Sequence, residues 1–209
     1  MVQDKKAAET HATNGHYVTH RDSRPIIFFS WVKPPLGMHK VNADGGFRST
    51  ELIGSCAVLV RDSEGNFSYA EMKFFEKMTS SVRAEAEGAL LALQVLVGNH
   101  WVSSYLELDC EQVVNYLKST SLSSVPHELR AIVQQMKIIL TNHKCIITRW
   151  SNRETNVGPH ILCVKAMDER SSEKWDTSPP DCLTITLNED KIGKKKMKDK
   201  KNKKRRKST

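Results

Sequence analysis

The chain has 209 residues, of which 39% are hydrophobic and 27% charged, and its formal net charge is +8 at pH 7. This composition suits one folded domain, and no apolar run is long enough to cross a membrane, which excludes a membrane-spanning protein. The five cysteines include no C-x-x-C pair, so we expect neither a disulfide framework nor a zinc site, and a reducing compartment is favoured. Residues 1–30 lack the apolar segment of a signal peptide, so no secretory signal is predicted.

The positive charge is concentrated at the C-terminal end of the sequence. Residues 191–209 contain twelve Lys and Arg and one acid, Asp199, which gives +11; the other residues hold 20 basic and 23 acidic side chains, which gives −3. Such a segment cannot bury apolar surface, so it is predicted to be a disordered tail. It is typical of a nuclear-localisation signal or a phosphate-binding arm, and a solvated charge run without a partner is the alternative.

The hydrophobic pattern predicts the order β-β-β-α-β-α-α-β-α after a mostly disordered leader at residues 1–30. Three closely spaced strands open this order and predict an antiparallel meander, and later strands separated by helices predict a mixed sheet. The strands are predicted at 38–47, 53–60, 67–75, 105–109 and 145–150, and the helices at 82–98, 110–118, 126–140 and 157–167.

Two aspartates are predicted at the ends of strands. Asp44 is placed at the end of the first strand, where Gly45-Gly46 would let a ligand approach closely, although Asp-Gly-Gly is also a common turn. Asp109 ends a short strand directly before a helix, a position where open α/β sheets bind ligands. Capping of that helix is the alternative role for Asp109.

Two glutamates of the long predicted helix at 82–98 are expected on different faces of that helix. At about 100° per residue, Glu85 lies at the edge of the apolar stripe and is predicted to face inward near the helix N-terminus. Favourable interaction with the helix dipole is the alternative explanation for Glu85. Glu87 points away from Glu85 and is predicted to be a solvated surface acid.

Five short motifs follow one another in register along the chain. They are WVKPPLGMHKVNADGG (31–46), VLVRDSEGN (58–66), AEAEGALLAL (84–93), LELDC (106–110) and RETNVGPHILC (153–163). Together they resemble the plant-type ribonuclease H-like domains of the ribonuclease H type-1, reverse-transcriptase-like family. The resemblance continues into residues 175–190, which are similar to the short C-terminal extension that such domains often carry.

The resemblance implies an α/β, ribonuclease H-like fold, with a mixed five-stranded sheet and helices on both faces. It also implies a division of the chain into four parts. These are a disordered leader (1–30), the ribonuclease H-like domain (31–170), a family-type extension (171–190) and the disordered Lys/Arg-rich tail (191–209).

The activity that the resemblance implies is hydrolysis of the RNA strand of RNA–DNA hybrids by a metal-dependent endonuclease. Asp44, Glu85 and Asp109 would be catalytic residues and metal ligands, with Asp44 bridging two Mg²⁺ or Mn²⁺ ions. Hard divalent cations prefer carboxylate oxygens, and two ions about 4 Å apart stabilise the attacking and leaving oxygens of a phosphodiester. The hybrid would be recognised by its shape and its 2′-hydroxyl groups.

The fourth catalytic position carries His160, where ribonucleases H place a carboxylate and many plant-type members place histidine. Imidazole is a poorer Mg²⁺ ligand than carboxylate, so this residue would orient water, assist product release, or indicate a domain with reduced activity. Pro159 also replaces the usual Ala, and Cys163 and Val164 replace an Ala-Lys pair.

Three functions therefore remain open at this stage. The first is the hybrid-cleaving endonuclease, and the second is a non-catalytic nucleic-acid-binding module weakened by His160. The third is an interaction domain whose tail supplies all nucleic-acid affinity, which the acidic body and basic tail favour. Residues 110–140 lack the basic, Trp-containing insertion of many hybrid-cleaving enzymes, so substrate affinity is expected to be modest or supplied by the tail. The expected partner is an RNA–DNA hybrid or another nucleic acid, with no membrane. The protein is expected to be monomeric and nuclear or cytoplasmic, the tail favouring the nucleus.

Overall fold

The computed structural model describes residues 15–18, 26–194 and 196–197, and within them it contains nine strands and five α-helices. The strands are β1 (Gly15–Val18), β2 (Ile26–Phe29), β3 (His39–Arg48), β4 (Ile53–Arg61), β5 (Phe67–Phe75), β6 (Ser104–Leu108), β7 (Ile146–Trp150), β8 (Glu173–Trp175) and β9 (Lys196–Met197). The α-helices are α1 (Ser81–Gly98), α2 (Glu111–Lys118), α3 (Arg130–Asn142), α4 (Val157–Glu169) and α5 (Thr184–Lys191). Short 3-10 turns occupy His127–Leu129, Arg153–Thr155 and Asp181–Leu183.

The larger sheet is mixed and has the strand order β7-β6-β3-β4-β5-β8. Strands β3, β4 and β5 form the predicted antiparallel meander, and β6 and β7 join β3 in parallel. The sheet has six strands instead of the predicted five because β8 pairs antiparallel with β5. This strand lies within the predicted extension, and its three residues are too few to show an alternating pattern.

Helices cover both faces of this sheet, as the resemblance implied. Helices α1, α2 and α3 share one hydrophobic core with inward-facing side chains of β3, β4 and β6. On the opposite face, α4 packs on β3, β4 and β5, and its core includes Leu183 and Leu187 of the extension. The extension is thus an integral part of the folded domain. None of the helices in the described ranges combines the length and apolar character needed to cross a membrane.

Asp44 lies within its strand, whereas the sequence predicted it at the end of that strand. Strand β3 continues through Gly45-Gly46 to Arg48, and these glycines pair with Cys56 and Ser55 of β4. The Asp-Gly-Gly sequence is therefore part of a strand, and the alternative of a turn at this position is wrong. Side chains on either side of the glycines are apolar or paired, so the ladder to β4 overrides the local turn preference.

Two segments predicted to be disordered contain short strands. In the leader, β1 pairs antiparallel with β2. In the predicted tail, Lys191 is the last residue of α5, and β9 pairs antiparallel with β2. Residues 1–14, 19–25, 195 and 198–209 of these two segments lie outside the described ranges. Strands of two and four residues are too short to present a periodic pattern, so only their pairing defines them.

A buried arginine joins the extension to the sheet. Arg61 of β4 is 1% exposed, and its guanidinium lies 3.6 Å from the ring centre of Trp31. It donates to Asp190 of α5 at 2.7 Å and to Asn42 of β3 at 2.8 Å. A buried charge requires such partners because burial removes its hydration.

Candidate metal centre at the carboxyl end of the parallel strands

The two aspartates are brought together by the parallel pairing of β3 with β6. The last residues in register are Ala43 and Leu108, and Asp44 and Asp109 follow them directly. Because parallel strands end at the same edge of a sheet, their next residues are neighbours there. Asp109 does not cap α2, since Cys110 occupies the capping position and no side chain caps the helix. The helix-capping alternative for Asp109 is therefore wrong.

Two glycines allow α1 to bring the third carboxylate to the same place. A Cβ atom on Gly45 would lie 2.1 Å from the backbone nitrogen of Glu85, and one on Gly88 would lie 2.6 Å from the carbonyl oxygen of Asp44. Helix and strand thus pack backbone against backbone. Glu85, in the second turn of α1, reaches the strand, where the N–H of Gly45 hydrogen-bonds its carboxylate.

The resulting cluster consists of Asp44, Glu85 and Asp109. One carboxylate oxygen from each residue lies within 4.8 Å of the others. Asp44 is only 4% exposed, and the other two are half-buried. Their positions are those that the sequence led us to expect, while their roles as ligands and catalytic groups stay a prediction.

The electrostatics of the cluster disfavour three negative charges. Burial, followed by the charges of Asp44 and Asp109, raises the pKa of Glu85 well above its usual range. Burial and the charge of Asp44 raise the pKa of Asp109 to about 6. The nearby positive charge of Arg153 opposes both shifts. Like charges held together without water favour protonation or a bound cation.

The residues present fit a divalent cation. Asp109 Oδ1 is buried and has no hydrogen-bond partner within the described part of the chain. Such an atom is costly unless something ligates it. The donor set is entirely carboxylate, which is the chemistry that Mg²⁺ and Mn²⁺ prefer. We therefore assign the cluster as a candidate metal centre.

His160 of α4 lies beside the cluster. Its Nδ1 atom is 3.0 Å from Asp44 Oδ2, and its side chain is 43% exposed. The imidazole thus contacts the buried carboxylate of Asp44 with one edge and is exposed to solvent on the other. Pro159 and Cys163 are buried in α4, and the Cys163 thiol donates to the Asp44 carbonyl at 3.4 Å.

Asn156 is a positioning residue to which the sequence analysis assigned no role. Its side-chain amide donates to the carbonyl oxygen of Ala43 at 2.8 Å, and the residue is 1% exposed. The bond ties the residue before α4 to the strand that carries Asp44, and so it places His160. The Asn of the RETN motif was the available signal for this role.

Glu87 is a correction to the sequence analysis. The predicted surface acid has a side chain only 22% exposed, and it forms an ion pair of 3.4 Å with Arg83 one helical turn earlier. The helical wheel correctly placed Glu87 on the side of α1 away from Glu85. On that side, however, the side chain of Arg83 lies against Glu87 and partly covers it. Glu85 does not lie in the first turn of α1, where a carboxylate would interact with the helix dipole.

Comparison with known proteins agrees with this architecture. The sequence profile described as reverse transcriptase-like matches residues 42–166, which is more than half of the chain. No match was found among curated protein sequences. Many solved structures do match.

Three of the similar structures have 18–20% sequence identity to this chain. The N-terminal RNase H domain of rv2228c from Mycobacterium tuberculosis (TM-score 0.58, 19% identity) aligns over 63% of this chain and 94% of its own. RNase H1 from the archaeon Halobacterium salinarum (TM-score 0.58, 18% identity) aligns over 64% of this chain and 99% of its own. LC11-RNase H1 from compost, in complex with an RNA/DNA hybrid (TM-score 0.56, 20% identity), aligns over 63% of this chain and 98% of its own. Structural likeness at this identity establishes the fold. With the matched sequence profile, it shows that the chain belongs to the reverse transcriptase-like family of ribonuclease H-like domains.

Proposed function

We propose that the protein is a metal-dependent endonuclease that hydrolyses the RNA strand of RNA–DNA hybrids. The observation that carries this proposal is the buried cluster of Asp44, Glu85 and Asp109, whose oxygens lie within 4.8 Å of one another. A fold of this family supplies the context, and LC11-RNase H1, which shares the fold, is known in complex with an RNA/DNA hybrid.

Asp44, Glu85 and Asp109 would hold the Mg²⁺ or Mn²⁺ ions of the proposed centre. Bound ions of this kind lower the pKa of an attacking water and stabilise the leaving oxygen of a phosphodiester. The protein contributes the arrangement of its ligands: Glu85 is placed by the close packing of α1 on Gly45, and Asp109 by its position directly after β6. Little reorganisation is therefore required when a cation binds.

His160 makes a second function worth testing, which is a nucleic-acid-binding module without turnover. The imidazole competes with cations for Asp44, since its Nδ1 lies 3.0 Å from that carboxylate. In the endonuclease it instead orients water or assists product release from the open side of the cleft. The two functions differ in whether bound hybrid is cleaved.

The experiment incubates purified protein with an end-labelled RNA–DNA hybrid and Mg²⁺ or Mn²⁺. Cleavage of the RNA strand is expected, while double-stranded DNA and double-stranded RNA of the same sequence stay intact. Asp44→Asn should abolish cleavage because it removes a charge with almost no change in volume. Glu87→Gln is the matched control, since this acid lies on the same helix as Glu85 but outside the cluster.

Replacement of the histidine separates the two functions. His160→Asp restores a hard oxygen ligand at the fourth position, so it should preserve or raise cleavage. Binding without cleavage in the unmodified protein, with cleavage gained in His160→Asp, would identify the module. Cleavage that persists in Asp44→Asn would contradict the proposed centre.

The basic tail is proposed to add phosphate affinity and to favour a nuclear location. Strand β9 lies beside the Arg153–Thr155 turn, so the chain approaches the cleft just before its KKNKKRRK segment, residues 200–207. Deletion of residues 198–209 should weaken hybrid binding at low salt and flatten its salt dependence. A fluorescent fusion should then shift toward the cytoplasm. Unchanged binding and location would mean that the tail is only a solvated charge run.

A further inference from the structure

Trp150 is an exposed aromatic residue at the rim of the metal centre. It ends β7, the edge strand of the larger sheet, and 44% of its surface is exposed. Its indole N–H donates to the main-chain carbonyl of Asp109 at 3.2 Å. The ring is thus anchored by one edge next to a proposed metal ligand, while a large part of it faces solvent.

Arg153 stands three residues further along the chain, in the turn before α4. Its side chain is exposed, and its charge is close enough to lower the pKa of both Glu85 and Asp109. Within the described ranges its guanidinium forms no hydrogen bond or close ion pair. An exposed cation beside these acids, without a hydrogen-bonded partner among the described residues, gives a polyanion a point of attachment that the acids themselves would repel.

Arg149 of β7 differs from Arg153 because its guanidinium packs on an aromatic ring of the protein. Its guanidinium lies 3.7 Å from the ring centre of Tyr105 on the neighbouring strand. Both members of this cation–π pair therefore belong to the protein itself. Trp150 and Arg153 are an aromatic and a cation that remain available to a ligand.

We propose that Trp150 and Arg153 bind one nucleotide of the substrate beside the scissile phosphate, an inference that rests on the proposed nuclease function. The indole face packs on the sugar or base of that nucleotide, and the guanidinium pairs with its phosphate. Stacking on aromatic rings and ion pairing with phosphates are the two sequence-independent contacts by which proteins hold nucleic acid. This pair compensates for the missing basic, Trp-containing insertion in residues 110–140.

The first test measures binding of a fluorescent RNA–DNA hybrid by anisotropy, in an Asp44→Asn background that leaves the hybrid intact. Trp150→Ala should weaken binding about tenfold, because one stacked base is lost and a tenfold change corresponds to about 1.4 kcal/mol. Trp150→Phe keeps a ring without the N–H and should stay within about threefold of the parent. Ile147→Ala is the matched control, because this apolar residue of the same strand is 42% exposed.

The second test measures the salt dependence of binding. Arg153→Gln should reduce the slope of log K against log salt by about one, the effect of losing a single phosphate contact. Arg149→Gln, on the same stretch of chain but packed on Tyr105, should leave the slope unchanged. An unchanged slope in Arg153→Gln would overturn the assignment of this cation.

A purely structural role for Trp150 gives a different pattern. If the ring acted only by holding Asp109 through the indole N–H, Trp150→Phe would lose as much hybrid affinity as Trp150→Ala. Affinity for Mn²⁺ alone, measured by calorimetry without hybrid and with the intact Asp44, would fall in both variants. We expect Mn²⁺ affinity to be unchanged, and either of these two results would overturn the proposal.

The outcomes also separate this inference from the proposed function. Hybrid that is bound and cleaved by the unmodified protein, with Trp150→Ala and Arg153→Gln behaving as their controls, refutes the nucleotide contact alone. Failure of the unmodified protein to bind any hybrid refutes the proposed function, and the nucleotide contact with it. Circular dichroism of each variant verifies that the fold is retained.

Discussion

The side chain of Asn156 holds the main chain of Ala43 by a hydrogen bond of 2.8 Å, one residue before Asp44. It joins the start of α4 to the central strand of the sheet. The candidate metal centre therefore depends on a residue that contributes no ligand atom to it. Asp44 and His160, which are separated by almost the whole domain in sequence, obtain their relative position from this contact.

Replacement of Asn156 by Asp is the first prediction. The carboxylate has no N–H to donate, so it would face the Ala43 carbonyl with an unpaired charge in a site that is 1% exposed. We expect the free energy of unfolding to fall by about 2 kcal/mol, the usual cost of a buried unsatisfied group. Urea unfolding measures the loss. Asn152→Asp, at a partly exposed position of the same loop, should be close to neutral.

Binding of Mn²⁺ is the second prediction, and it needs no substrate. Asp44→Asn, Glu85→Gln and Asp109→Asn should each weaken Mn²⁺ binding at least tenfold in calorimetry, because each removes a charged ligand from a set that is entirely carboxylate. Glu87→Gln should bind as the parent does. Equal affinity in all four variants would place the ion elsewhere on the protein.

The third prediction concerns stability against pH in the absence of metal. The folded-state pKa of Asp109 is raised to about 6, whereas the unfolded value is about 3.9. The folded state thus holds this proton more tightly, so the contribution of Asp109 to stability is present below pH 4 and is lost as pH rises toward 6.

Asp109→Asn removes this dependence. In EDTA, the stability of the variant relative to the parent should increase between pH 4 and 7 by about 2–3 kcal/mol, as two units of pKa correspond to that amount. Chemical unfolding at several pH values measures the difference. Saturating Mn²⁺ should remove the advantage of the variant. A difference that stays constant with pH would mean that neither burial nor the charge of Asp44 raises the pKa of Asp109.

Substitution of the two close-packed glycines is the fourth prediction. Gly45→Ala and Gly88→Ala each place a methyl group against main-chain atoms, which cannot move away as a flexible side chain can. We expect losses of about 2 kcal/mol or more in stability, together with weaker Mn²⁺ binding as α1 moves from β3. Gly98→Ala meets nothing within 4 Å at the end of α1, and it should leave both quantities unchanged.

The fifth prediction tests the role of the extension in the fold. Asp190→Asn leaves the guanidinium of Arg61 without its charged partner at a site where both side chains are nearly inaccessible. Breaking a buried pair in this way costs about 3–5 kcal/mol, measurable as a lower melting temperature. Glu169→Gln disrupts an ion pair with Lys165 in which the glutamate is 48% exposed, and its cost should stay below about 1 kcal/mol.

Sequence reasoning identified the long elements of the fold because their patterns are local. The meander of β3, β4 and β5 and the helix α1 follow from alternation, from the turn residues 61–66 and from an Ala/Leu-rich stretch. The short strands β1, β8 and β9 could not be found in this way. Strand β1 is defined by its pairing with β2, and β8 and β9 are defined by pairing with strands far away in sequence.

The three carboxylates could be selected from sequence, whereas the contacts that position them could not. Asp44, Glu85 and Asp109 are marked by their places on predicted elements and by a family resemblance. The side-chain bond of Asn156 and the exposed ring of Trp150 depend on how α4 and β7 meet β3 and β6. Glu87 was placed on the solvent side of its helix, but its side chain pairs with Arg83 one helical turn earlier and is only 22% exposed.

The contact of Arg61 with both Trp31 and Asp190 has a consequence for the order of folding. Contacts between residues far apart in sequence close large loops, and topologies rich in them fold more slowly. During synthesis, β3, α1 and β6 emerge long before α5, so every carboxylate of the centre is available while the Arg61 site still lacks its aspartate. We expect the nascent domain to assemble its sheet first and to close around Arg61 last.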